Sequence, residues 1–456
     1  MRQSLIFFFL LFVNVLLSQQ ITIHNIVITG NKRTKEKVIL RELNFKIGTE
    51  YTTDTNIEEV EEFNEKRLLS IGLFNEVIIK IKNNTAFINV NENWYIFPNP
   101  IFELADQNFN FWWYDQMRDL SRVNYGLRAE HVNLTGHRDK MTLTFQLGYT
   151  RKLELKYYFP FLDASGKWTT SINAFYADVR EITYKTIGNK PQFATFNDEV
   201  MATRFRLGAD IGYRPNLFVT HVFRLEYHDN KINPYAASEL NPDYFLDGKT
   251  RNQFMFFNYA FFFDRREFRI FPEAGDFVHV NLKKEGLFLF KDLNNLSLAV
   301  EYEKYFNKES KFIWNYRVKG KYNLIRNQLA YANNEALGGG EVIRGYDRYR
   351  VDGSDYFYLQ TGVHYKMYEH LFDVSKWIPL TQFNKIDLKL YLSLEADAGY
   401  VNERHYIETN TFNNRWLYGY GPSFGLMLYN TYLFQLDYSW NHLGEGGFFV
   451  SNKISF

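Results

Sequence analysis

The sequence predicts a mostly β protein: about sixteen antiparallel strands forming a transmembrane β-barrel, preceded by one small α+β domain. Three observations carry this reading. The 456 residues include 44 Phe, 33 Tyr and 8 Trp, so 19% are aromatic, yet mean hydropathy is only −0.37. Past the first twenty positions there is no run of about 20 mostly apolar residues, which excludes a bundle of membrane helices. From residue 100 onward apolar and polar residues alternate in run after run, the pattern of strands with one face in lipid and the other wet. A large soluble all-β protein is the alternative. Lys+Arg 53 against Asp+Glu 52 gives a net charge of +1, so charge does not call for nucleic acid, and the absence of cysteine excludes disulfides and thiolate metal sites.

The N-terminus reads as a secretory signal peptide over residues 1–18. Arg2 is the positive start, residues 5–17 are apolar except for Asn14, and Ser18 precedes Gln19 and Gln20. A membrane anchor fits less well, because the run is shorter than a span and no basic cluster follows it. The mature chain is expected to begin near Gln19 without a lipid-modified cysteine.

Residues 19–93 read as a β-α-α-β-β domain. Ile21, Ile23, Ile26 and Ile28 open a strand ending at Gly30-Asn31. Thr34 is the expected N-cap of a short helix carrying Ile39 and Leu43. Thr55 and Glu58 form an expected capping box for a second helix with Ile57, Val60, Phe63, Leu68 and Ile71 as its buried stripe. Residues 74–82 and 85–91 then form a hairpin across Asn83-Asn84. The stretches IxIHNIVITGNKRT, ILREL with GTEY, LLSIGLFNEV and INVNE resemble a polypeptide-transport-associated (POTRA) domain of the BamA/TamA outer-membrane assembly superfamily. The resemblance implies a periplasmic domain whose sheet edge, with Phe74, Val77, Ile79 and Ile81 on its strand, pairs with a partner strand.

Residues 94–456 read as the outer-membrane β-barrel. Met141, Leu143, Phe145 and Leu147 alternate with Thr142, Thr144 and Gln146; Leu388, Leu390, Leu392 and Leu394 alternate with Lys389, Ser393 and Glu395. The long gaps near 180–200, 229–250, 325–353 and 401–415 fall on one side, and tight breaks at Arg214-Pro215-Asn216 and Asn430 on the other, as in outer-membrane barrels. Segments 264–275 and 368–385 are too long for the periplasmic side on which they fall. The resemblance continues through Phe159-Pro160-Phe161, Asp264-Arg265-Arg266, the glycines at 338–340, Val342-Ile343-Arg344-Gly345-Tyr346 and Glu395-Ala396-Asp397-Ala398-Gly399. It implies that the loop holding Arg344, Gly345 and Tyr346 folds into the lumen and that Arg344 meets Asp397, in a strand motif that ends at Gly399. Glu395 stands where the family prefers Gly or Phe and is expected to share or compete for the guanidinium. Physics points the same way, since a lumen wall bearing two carboxylates needs a cation and a forked arginine suits it.

The end strands are expected to form a lateral gate, with Ile101 on the first and Phe448, Val450, Ile454 and the terminal Phe456 on the last; Phe456 doubles as an assembly signal. Gly421-Pro422-Ser423-Phe424-Gly425 matches GxSxG, with Asp437 and His442 following, but the flanking residues continue as a strand and lack the elbow and helix that a hydrolase needs. No cofactor and no metal are expected, as the ten His show no ligand spacing. The reading is therefore a non-enzymatic factor for insertion, assembly or translocation of nascent outer-membrane or secreted proteins, surrounded by outer-membrane lipids and in some settings joined by periplasmic or lipoprotein subunits. The alternative is a passive pore, or a scaffold for lipoprotein partners.

Overall fold

The computed structural model describes residues 21–454 apart from 53–54, 107, 161, 164, 267–269, 288, 291, 308–309, 339, 378–384, 408 and 430–431. The expected signal peptide, Phe161, Asn430 and Phe456 therefore lie outside the described residues, as does the side chain of Ile454. The chain divides into two compact units, one running to Phe97 with the segment His131–Lys140 and the other comprising Pro98–Glu130 and Met141–Phe456.

In the first unit β1 (Asn25–Thr29), α1 (Glu36–Glu42), α2 (Ile57–Ser70), β2 (Phe74–Lys82) and β3 (Thr85–Glu92) follow the expected order. β3 is central, parallel to β1 and antiparallel to β2. The β2–β3 turn uses Asn83 and Asn84, both at positive φ (49° and 61°), the geometry that a two-residue hairpin requires. Ile23, Ile39, Leu68, Leu73, Ile79 and Ile88 form the core. The caps differ from the expected ones. α1 starts after Lys35 with no side-chain cap, and Thr34 instead turns inward, where its hydroxyl meets the Tyr95 hydroxyl. α2 is capped by Asn56, which accepts from the Glu58 amide. Phe63 is exposed, and its place against the core is taken by buried Asn64, which exchanges hydrogen bonds with Asn44.

The second unit is built on one sheet of sixteen antiparallel strands in sequence order. They are β4 (Ile96–Leu104), β5 (Val123–Val132), β6 (Lys140–Gly148), β7 (Thr150–Phe159), β8 (Trp168–Val179), β9 (Ala202–Tyr213), β10 (Val219–Ile232) and β11 (Arg251–Asp264), then β12 (Gly275–Glu285), β13 (Asn295–Phe306), β14 (Phe312–Asn323), β15 (Asp355–Asp373), β16 (Lys385–Asn402), β17 (Trp416–Leu428), β18 (Tyr432–Asn441) and β19 (Gly446–Ile454). A short helix, α3 (Phe109–Tyr114), lies between β4 and β5. Among the described residues β4 and β19 stand at the two ends of the strand order, unpaired with each other.

Burial is inverted relative to a water-soluble fold. Leu143, Phe145, Leu207, Leu225, Leu392 and Leu394 are exposed, while Thr144, Gln146, Glu226, Lys389, Ser393 and Asp397 are buried. The apolar face is the outer one, and the ion pairs lie within, as a lipid environment demands.

Both over-long segments have a physical account. β15 and β16 stay paired down to Asp373 and Lys385, so residues 368–373 belong to the strand and not to the connection. In the 265–274 connection Phe271 packs on Tyr391 at a centroid distance of 4.4 Å, and the Glu273 carboxylate accepts from the Tyr391 hydroxyl at 2.9 Å and pairs with Lys366 at 3.0 Å. Arg266 bridges Asp264 and Glu303, at 2.9 and 2.8 Å. These contacts hold its described residues against β13, β15 and β16.

Leu207→Lys, on the outer face of β9, is expected to lower stability by about 2–4 kcal/mol, the usual cost of a cation at the bilayer midplane. Arg206→Lys, on the opposite face, is expected to change little. Urea titration of folded protein in lipid vesicles measures the difference.

Candidate lumen site and strand edges

The 324–354 connection between β14 and β15 packs through Ile343, which is fully buried, and Tyr346 against Tyr358, Val401, Phe412 and Leu417. Between those anchors stands Arg344. Its amide donates to Asp397 Oδ2 at 2.9 Å. Its guanidinium goes elsewhere: Nη1 donates to Asp437 Oδ1 at 2.8 Å, and Nη2 pairs with Glu395 Oε2. Asp397 is engaged by main chain, and Glu395 and Asp437 by charge, so the residue that departs from the family pattern holds the arginine head. Gln360 donates to both Asp397 Oδ2 and the Val342 carbonyl, at 3.0 and 3.1 Å. Gln435 donates to Glu395 and Asp437 at 3.2 and 2.9 Å, and Ser423 donates to Glu395 at 3.3 Å. Burial opposes the Arg344 charge, but the three carboxylates outweigh it and raise its pKa further. On the same loop, burial pushes Asp347 up to about 7, with Arg344 opposing.

The loop sits close against the wall where two wall positions are glycine, Gly419 under its backbone and Gly399 under the Ile343 side chain. A Cβ at Gly419 would stand 1.9 Å from the Arg344 carbonyl oxygen, and one at Gly399 would stand 2.3 Å from Ile343 Cδ1. Gly345 takes the turn at φ +80°. The Tyr346 ring stacks on His442 at 5.8 Å, with its hydroxyl against Nδ1. A cavity of about 530 Å³ is lined by Arg344, Glu395 and Asp397, by Arg266 and Ile270 of the 265–274 connection, and by Glu303 of β13. The two connections thus face one cavity.

Sequence reasoning singled out Arg344, Gly345, Tyr346, Glu395, Asp397 and Gly399, and the fold brings them together. It missed Asp437 as a partner, along with Gln360, Gln435 and Gly419. In the sequence Asp437 reads as a residue of a wet strand face and as the acid that follows a GxSxG pattern. In the structure Ser423 sits in the middle of β17, directly opposite Asp437 on β18, with no elbow and no helix after it.

The strand edges are placed as follows. On β4, Ile101 is buried while Phe102 is 78% exposed; on β19, Phe448 is exposed and Val450 half-buried. β2 does lie at a sheet edge, but that edge is not open as expected. Phe74, Val77, Ile79 and Ile81 are buried in the core. The amides of Ile79 and Ile81 donate outward to the Glu65 and Glu61 carboxylates of α2, each at 2.7 Å. The correction has a simple cause: a helix packed across the sheet carries its glutamates to the very groups that a partner strand would need.

A family model described as the Omp85 superfamily domain matches residues 133–362, half of the chain. The protein is a member of the Omp85 superfamily. A second model, POTRA, described as a surface antigen variable number repeat, matches residues 21–93. Among solved structures this Omp85 chain is similar to BamA from Haemophilus ducreyi lacking POTRA domains 1–3, with TM-score 0.66 and 14% identity over 95% of this chain and 84% of that one. It is also similar to CdiB from Escherichia coli (TM-score 0.55, 10% identity, 95% of this chain and 76% of that one) and to CdiB from Acinetobacter baumannii (0.50, 12%, 95% and 73%). No curated protein matches it. Barrel, POTRA unit and family together identify an outer-membrane protein of the BamA/TamA-like Omp85 superfamily.

Arg344→Ala is expected to leave a folded barrel but to release the 324–354 loop, since removing one partner of a buried ion pair costs about 3–5 kcal/mol. Gly419→Ala is expected to release the same loop without any change of charge. Combining the two should add little, because both undo one contact. Protease cleavage within 324–354, with gel heat-modifiability as the folding control, reads all three.

Proposed function

We propose that this Omp85 protein inserts or translocates proteins at the outer membrane without catalysing a covalent step. In this reading residues 1–18 direct export, 19–93 form a periplasmic domain that receives protein clients, and 94–456 form the barrel. The reading rests chiefly on one contrast. Described residues of the 265–274 and 324–354 connections line one cavity inside the barrel, whereas the two end strands are not joined among the described residues. A passive pore needs the opposite arrangement, an open lumen inside a sealed wall. Unpaired main-chain groups on an end strand form a template for an incoming strand, so lateral exchange suits the barrel better than conduction. The lumen latch of Arg344, Glu395, Asp397 and Asp437 is assigned the task of holding the loop that braces the wall during that exchange.

Purified protein in liposomes is expected to accelerate the folding of an added, urea-unfolded eight-stranded outer-membrane barrel relative to empty liposomes, with little steady conductance. Conductance without acceleration would support the pore instead, and capture of one lipoprotein without acceleration would support the scaffold. Phe456 is proposed as the C-terminal assembly signal: its deletion is expected to lower the yield of folded barrel in outer membranes far more than a Phe→Ala change at Phe245, measured by the heat-modifiable fraction on gels.

A further inference from the structure

The edge of β19 is not bare. Val450 lies opposite Leu436 of β18, yet its amide donates to Asn110 Oδ1 of α3 at 3.0 Å. An amide can reach α3 only if it is turned away from β18, so this is an edge group, and it lies midway along the strand. Asn110 and Phe111 are both buried, at 3% exposure, and Phe111 packs against Phe193. In the apolar layer of a membrane an edge amide without a partner is costly, and α3 supplies the partner.

α3 is itself held from outside the sheet. Asn108 caps the helix by accepting from the Phe111 amide at 2.8 Å and donates to the Asp347 carbonyl at 2.6 Å. Asp115, at the other end, accepts from Arg348 at 2.6 and 3.1 Å and from Lys190. Arg348 lies over the Tyr114 ring at 5.1 Å. Asp347 and Arg348 follow Arg344 by three and four residues. The loop that docks through Arg344 therefore also grips the helix that covers the edge of β19.

From this we infer that α3 is a removable clamp that occupies the edge of β19 in place of a strand and is held there by the 324–354 loop. It acts as an internal surrogate for an incoming strand: one side-chain oxygen satisfies one edge amide, where a strand would satisfy the whole row. A client gains by displacing it, and release of the loop lowers the cost of doing so. This inference deepens the insertion reading and rests on it for its role, but the contact between α3 and the edge can be measured separately.

The test uses the full chain in liposomes, with heat-modifiability as the folding control, and compares Asn110→Ala and Asp115→Ala with the unaltered protein. Hydrogen exchange is followed at Val450 within the 446–454 fragment, and insertion is followed with the same eight-stranded client. Each variant is expected to raise exchange at Val450 and the insertion rate by about 2–10-fold, the range that corresponds to loss of one ordinary hydrogen bond. Because the chain has no native cysteine, Asn110→Cys with Val450→Cys, joined by a short bis-maleimide, is expected to abolish insertion. Unchanged exchange at Val450 would overturn the clamp. So would raised exchange with an unaltered insertion rate, since α3 would then cover the edge without controlling it. Raised exchange with no insertion by any form would uphold the clamp and overturn the insertion reading.

Discussion

In a hydrocarbon layer every main-chain N–H and C=O must find a partner within the protein, and the rest of this molecule follows from that demand. Sequential antiparallel pairing meets it along the whole sheet. The alternating pattern follows, because a wall of strands has one face in lipid and one in the lumen, and burial inverts accordingly. The demand is hardest to meet at the two end strands, and there the structure spends a side chain, Asn110, on a single amide.

The lumen repeats the problem with charges. Glu395 and Asp397 project from β16 and Asp437 from β18, and Arg344 arrives from a loop to meet all three. A carboxylate triad without it would be self-repelling in a confined space. The division of labour is geometric. Asp397 takes the main-chain amide and so fixes the height of the loop, whereas the fork of the guanidinium fixes its rotation by spanning β16 and β18. Lysine, with one point charge, could not do the second task.

Much of this was legible in the sequence for local reasons. Alternation is a property of adjacent residues, and Asn83-Asn84 encodes its own turn, so strands and hairpins could be read directly. Thr34 misled because a good capping residue is also a good buried hydrogen-bond donor, and contact with Tyr95 decided between the two. Phe63 misled because the helical stripe admits either Phe63 or Asn64 at that turn, and the pairing of Asn64 with Asn44 tips the register. Asp437 stands 93 residues from Arg344, and only strand register brings them together. Gly419 was unreadable for a related reason: a glycine in a strand signals a close approach without saying what approaches. Segment 264–275 looked anomalous because length alone cannot distinguish a loop in water from one packed under Tyr391.

The glutamates that seal β2 give the small domain a handedness of use. A three-stranded sheet has two sides on which a fourth strand could be laid, and here Glu61 and Glu65 already sit in the donor row on one of them. The sheet's other edge is β1, the one strand that runs parallel to its centre. Two carboxylates on a helix thereby turn a symmetric opportunity into a one-sided one.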